Sequence, residues 1–95
     1  MLIRIVRMTF DPDKVEEFQK IFAESRDKIR ARPGCQHLEL WRDLHQPNIF
    51  VTHSHWDSEK ALNAYRESEL FVTTWKKTKA LFSDRALAFS VTNQV

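Results

Sequence analysis

Glycine is nearly absent from this chain: Gly34 is the only one, and three prolines are the other strong breakers. So little breaker content leaves no material for flexible linkers or low-complexity arms, and 95 residues then read as one domain spanning 1–95. Cysteine is equally scarce. Cys35 stands alone, which excludes an intrachain disulfide. It follows Pro33-Gly34 at the start of a predicted strand, with no histidine beside it in sequence, and is expected to be a small buried thiol rather than a nucleophile. An excess of one charge is missing too. Fifteen Lys and Arg against thirteen Asp and Glu leave a formal +2, and the signs alternate along the chain. A nucleic-acid binder shows a basic stripe, and none is present. No apolar run is long enough to cross a bilayer, and Arg4 and Arg7 interrupt the apolar N-terminal stretch in a way that a secretory signal does not tolerate. The expectation is a cytoplasmic protein that engages neither nucleic acid nor membrane.

What is present is a core. Hydrophobic residues make up 42% and aromatics 12% of the chain, enough for a folded domain. A chain this short still leaves a large share of its apolar surface outside, which makes self-association a natural way to cover it. The organising stretch runs from Asn48 to Phe71. Ile49-Phe50-Val51-Thr52-His53-Ser54-His55-Trp56 is β-branched and aromatic without Gly or Pro, a strand. Asp57 follows as the expected helix N-cap with Glu59 in the first turn, and Ala61, Leu62 and Tyr65 form an inward helical stripe. Ser68 starts a second helical part, in which Phe71, Trp75, Thr78 and Phe82 recur at helical spacing.

The rest of the chain falls into place around it. Leu2 to Phe10 is a strand with apolar residues at both parities. Asp11 caps a helix that Pro12 opens, with Val15, Phe18, Phe22, Ser25 and Ile29 on its buried stripe. Pro33-Gly34 stops that helix, and Gly34 falls where a positive φ is needed. Gln36 to Arg42 is a strand, Asp43 to Asn48 a breaker-rich turn, and Arg85 to Thr92 the last strand. The order strand–helix–strand–strand–helix–strand is the ferredoxin-like βαββαβ plan, an α+β fold with a four-stranded antiparallel sheet and its helices on one face. Pairing the hairpin symmetrically about its turn puts Leu38, Leu40, Phe50, Thr52, Ser54 and Trp56 on one face, assigned to the helices. His37, Glu39, Trp41, Ile49, Val51, His53 and His55 fall on the other, with Ile3 and Ile5. Two helices cannot cover that second face, and an exposed apolar patch of that kind calls for a partner sheet, hence a homodimer.

The start of strand one, Asp11-Pro12, Pro33-Gly34, Trp56-Asp57-Ser58-Glu59 and Ser68-x-x-Phe71 together resemble the antibiotic-biosynthesis-monooxygenase-like family. The resemblance covers essentially the whole chain and implies a dimeric α/β barrel with a ligand pocket between each sheet and its helices. It further implies a cofactor-independent monooxygenase acting on a phenolic, quinol or polyketide-like small molecule. The alternative is a non-catalytic ligand-binding or structural homodimer on the same scaffold. The haem-degrading branch of these proteins wants an Asn, a Trp and an axial His where this chain has Val6, Tyr65 and Trp75. An indole N–H has no lone pair for iron, so no haem and no other cofactor is expected.

Among the residues that could carry chemistry, His53 and His55 share one strand face, and either could serve as a general base; the favoured reading is that they are dimer-face or surface histidines. Parity puts them opposite the helices. A one-residue bulge near Ser54 would re-aim His55 into the pocket, and His55 is therefore expected to matter more. Trp56, Tyr65, Phe71 and Trp75 are the expected aromatic walls for a flat substrate, the alternative being plain core. Arg7 is the expected polar contact, with Glu39 as its carboxylate partner. His37, His53, His55 and Glu39 could chemically suit Zn²⁺, but they lie on no defined motif and no metal is expected.

Overall fold

The computed structural model describes residues 1–95 and contains four strands and three α-helices. They are β1 (Leu2–Thr9), α1 (Val15–Arg30), β2 (Cys35–Arg42), β3 (Ile49–Trp56), α2 (Glu59–Arg66), α3 (Glu69–Lys79) and β4 (Leu87–Val91). The sheet is antiparallel throughout, in the order β2-β3-β1-β4, which is the ferredoxin-like βαββαβ arrangement. β3 lies inside the sheet between β2 and β1. No helix is long and apolar enough to cross a membrane.

Local chemistry sets each boundary. The Asp11 carboxylate accepts a hydrogen bond from the Asp13 amide and opens a 3₁₀ turn, Pro12–Lys14, that feeds α1. At the next helix the cap is one residue later than the sequence pattern suggests. Ser58, not Asp57, accepts from the Ala61 amide, and Asp57 instead accepts from Gln36 Nε2 at 2.9 Å. The chain reaches extended geometry at Ser58, which places its hydroxyl rather than the Asp57 carboxylate over the first turn. Ser68 separates α2 from α3 in two ways at once: its Oγ donates to the Tyr65 carbonyl at 2.6 Å and accepts from the Phe71 amide at 3.2 Å. β4 is shorter than the alternation implies, starting at Leu87 and ending at Val91.

The face assignment of the hairpin holds rung by rung. Leu38 pairs with Ser54 and Leu40 with Thr52 on the helix side, while His37 pairs with His55, Glu39 with His53 and Trp41 with Val51 on the open side. Ile49 differs: it is buried within the chain and does not belong to the uncovered patch.

Gly34 ties two connections together. Its carbonyl accepts from the Asp57 amide at 2.8 Å, so the turn after α1 is fastened to the junction after β3. Its φ is +84°, and a Cβ added there would lie 2.5 Å from the Ala61 Cβ. A side chain at this position meets both a left-handed backbone and a steric overlap. Gly34→Ala should therefore destabilise the fold by about 2–4 kcal/mol, read as a lowered urea midpoint at unchanged slope.

Candidate functional site

The hydrophobic core is divided in two. One cluster gathers Met8, Phe10, Phe18, Phe50 and Leu81 at the β3-start end of the sheet. The other gathers Ile29, Leu38, Trp56 and Leu62 at the opposite end. Phe22 packs against both. Between them the helix side of the sheet opens into a cavity of about 230 Å³. The break at Ser68 explains the space: α3 packs mainly on α1 and α2 and not directly on the sheet.

The walls are aromatic and stepped. Trp56 is 1% exposed, and its indole N–H donates to Ser54 Oγ at 3.0 Å. The Tyr65 ring stacks on it with centroids 4.9 Å apart, Phe71 meets Tyr65 edge-on at 5.2 Å, and Trp75 stacks on Phe71 at 5.8 Å. All four line the cavity. Such a chain of faces suits a flat ring inserted alongside them.

The polar inventory is unbalanced in one direction. Arg4 and Arg66 are the charged lining residues; no carboxylate and no imidazole lines the cavity. Arg4 is held by Ser90 Oγ at 3.1 Å. Burial, and then the positive charge of Arg66, lowers its pKa from the ordinary arginine value. Ser25 and Thr78 turn their hydroxyls back onto the Ile21 and Thr74 carbonyls within their own helices, at 2.9 and 2.8 Å. The Tyr65 phenol is pushed up to about 12, by burial first and by the Cys35 thiolate second. It stays a neutral donor across the physiological range.

Arg7, His53 and His55 are not in this cavity. β3 pairs with β1 without interruption from Leu2↔Trp56 to Thr9↔Ile49, so no bulge occurs at Ser54 and His55 keeps its parity on the open face. The irregularity falls instead on β2, between Cys35 and His37. Arg7 is exposed on the open face, and Glu39 is not its partner: that carboxylate sits 2.9 Å from His37 Nε2 and 3.4 Å from His53 Nδ1. The hydrogen bond from His37 holds the Glu39 carboxyl below its usual range. Burial, followed by the charges of His53 and His37, lowers the His55 pKa. In the sequence Arg4 shows only as a break in the apolar N-terminal stretch, and Arg66 reads as an ordinary basic residue in a last helical turn.

The chain is thus a ferredoxin-like domain with an aromatic-walled cavity between sheet and helices. Residues 1–77 match the profile of the antibiotic biosynthesis monooxygenase family, and the chain belongs to that family. Among solved structures, an antibiotic biosynthesis monooxygenase superposes with a TM-score of 0.94 at 21% identity, covering 100% of both chains. A conserved protein from Methanosarcina mazei Go1 superposes with a TM-score of 0.92 at 19% identity, covering 99% of this chain and 94% of that one. The Pestalotiopsis microspora protein named "Putative monooxygenase GME11364" is 33% identical over 54 residues, 57% of this chain. That match spans 45% of the relative's own length, less than half of it.

The Tyr65 phenol carries a pH consequence. Its folded pKa of about 12 lies above the ordinary value of 10.0, so the folded state keeps a proton that the unfolded chain has lost. The stabilisation is complete below about pH 10 and is lost as pH rises through about 12, on the order of 3 kcal/mol in all. Stability curves between pH 9 and 12 should fall more steeply for the native chain than for Tyr65→Phe, and parallel curves would refute the assignment.

Proposed function

We propose that the protein is a cofactor-independent monooxygenase that oxidises a phenolic, quinol or polyketide-like ring in the cavity between sheet and helices. The observation that carries this reading is the pairing of stepped aromatic walls with two guanidinium groups and no opposing carboxylate. A direct reaction with O₂ needs the substrate as its anion, because a phenolate or enolate gives up an electron far more readily than the neutral compound. The lining supplies no imidazole or carboxylate base. Arg4 and Arg66 supply what takes its place, a positive field that lowers the pKa of a bound hydroxyl so that its proton leaves to water. Tyr65, a neutral donor, orients the oxygen that becomes anionic. The bound anion then passes one electron to O₂, and the resulting carbon radical and superoxide combine to form a C–O bond. Loss of water from the hydroperoxide, at a carbon that also carried a hydrogen, leaves a carbonyl: R₂CH₂ and O₂ give R₂C=O and H₂O. The apolar remainder of the wall keeps bulk water from protonating the anion. Haem has no imidazole or thiolate to bind it in this lining.

Oxygen uptake should be measured against a panel of hydroxynaphthalenes, quinols and anthrones. Arg66→Leu should lower kcat/KM by about a hundredfold, the scale for losing a charged group aimed at developing charge. Tyr65→Phe should cost about tenfold. His55→Ala should leave turnover within about twofold, because its ring faces the other side of the sheet; a loss of a hundredfold would restore His55 as the general base. Ligand binding without oxygen uptake by any compound would favour the non-catalytic ligand-binding dimer.

The open face supports a homodimer. Trp41, Leu87, Phe89 and Val91 are 45%, 57%, 42% and 44% exposed, and all four project from it together with Ile3, Ile5 and Val51. A second sheet is the cover that matches a flat apolar surface of this shape. Sedimentation at micromolar concentration should give twice the chain mass, and Phe89→Glu should give a folded monomer, because a carboxylate would be buried unpaired between the sheets.

A further inference from the structure

We propose that His37 Nε2, His53 Nδ1 and the Glu39 carboxylate form a three-ligand site for a zinc-class divalent metal on the open face of the sheet. The inference is independent of the cavity, which lies on the other side of the strands.

The argument begins with register. His37-x-Glu39 on β2 lies opposite His53-x-His55 on β3, with His37 against His55 and Glu39 against His53. Residues two apart on a strand project to the same side, so four metal-competent side chains crowd one small patch. The separations fit a metal. His37 Nε2 lies 2.9 Å and His53 Nδ1 3.4 Å from Glu39 Oε1, and one ligand atom from each of the three falls within 4.8 Å of the others. Bonds of about 2.0–2.1 Å in a tetrahedral shell put ligand atoms roughly 3.3 Å apart, so a cation can enter with only small side-chain rotations.

His53 supplies the independent observation. Its Nδ1 is buried, and no hydrogen bond reaches it; the nearby carboxylate oxygen is not aligned to accept one. A buried nitrogen without a partner is costly, and metal ligation removes the cost. The other ring nitrogen is already placed for that role. His53 Nε2 lies 3.2 Å from His55 Nε2, so with Nδ1 on the metal the Nε2–H donates to His55, which fixes tautomer and ring plane. Trp41 stacks on the same imidazole at 4.4 Å with 15° between planes and clamps it from the side. Ile5 lies across from His53 on β1 and Val51 across from Trp41, so the patch is rimmed by apolar side chains that favour exchange of hydration for protein ligands. His37 and Glu39 stand on β2, the edge strand of the sheet, with side chains 42% and 46% exposed, so the ion and a fourth ligand reach them from that edge even with a second sheet on the face. Two neutral imidazoles and one carboxylate make a donor set suited to Zn²⁺ over Mg²⁺ or Ca²⁺.

The test is calorimetric titration of Zn²⁺ into the chelator-treated full chain at neutral pH. One ion per chain should bind with micromolar or tighter affinity. Glu39→Gln and His37→Ala should each weaken it about a hundredfold, and His55→Ala about tenfold through the orientation of His53. Far-UV circular dichroism confirms that each variant is folded. Cys35→Ser and His45→Ala should leave the affinity within twofold. Co²⁺ at the same site should give the intense visible bands of four-coordination. No saturable heat, affinity unchanged in Glu39→Gln and His37→Ala, loss of binding in Cys35→Ser, or only the weak bands of six-coordinate Co²⁺ would each overturn the proposal.

Discussion

The stack of Trp56 on Tyr65 is the contact on which the rest of this structure depends. It joins the last residue of β3 to the last turn of α2 within the half of the core built on Ile29, Leu38, Trp56 and Leu62. The indole N–H would be expensive to bury without a partner, and Ser54, two residues back on the same strand face, provides one. That hydrogen bond fixes the tilt of the indole, and the indole fixes where Tyr65, Phe71 and Trp75 stand in turn. The cavity wall is thus propagated along a series of rings from one anchored end.

A second constraint is the strict alternation of β3. Because the strand pairs with β1 without a bulge, every residue from Ile49 to Trp56 is committed to one face or the other. The helix side receives Phe50, Thr52, Ser54 and Trp56, and so becomes the ligand side. The open side receives the histidines. One strand therefore borders two chemically different surfaces, contributing Trp56 to the aromatic cavity and His53 and His55 to the imidazole cluster, separated by the thickness of a single sheet.

The fold was largely legible from the sequence because its signals are local. Period-2 runs, the Asp11-Pro12 entry, the Pro33-Gly34 exit and the Ser68 cap each have a physical cause within a few residues, and the structure keeps them all. The one-residue displacement from Asp57 to Ser58 arose because both side chains can cap, and only the backbone angle decides. The site was legible in part. The four aromatic residues line the cavity as their spacing suggested, whereas Arg7 and both histidines lie on the far face. Arg66 could not be found by pattern, since an exposed basic residue ending a helix looks the same whether it faces solvent or a cavity. The convergence of His37, Glu39 and His53 needed the exact hairpin register, a long-range quantity that a symmetric turn suggests but does not fix.

The doubly bonded hydroxyl of Ser68 bears on how this scaffold diverges. By donating to Tyr65 and accepting from Phe71, it bridges the end of α2 to the start of α3, the two helices that bring Arg66 and Trp75 to the cavity. A change at this joint would move the two helices relative to each other without replacing any side chain that lines the cavity. A lineage could admit larger or smaller rings by altering this joint while every lining residue stays the same. Selectivity on such a scaffold can drift without leaving a trace in the residues that a comparison of pocket walls would inspect.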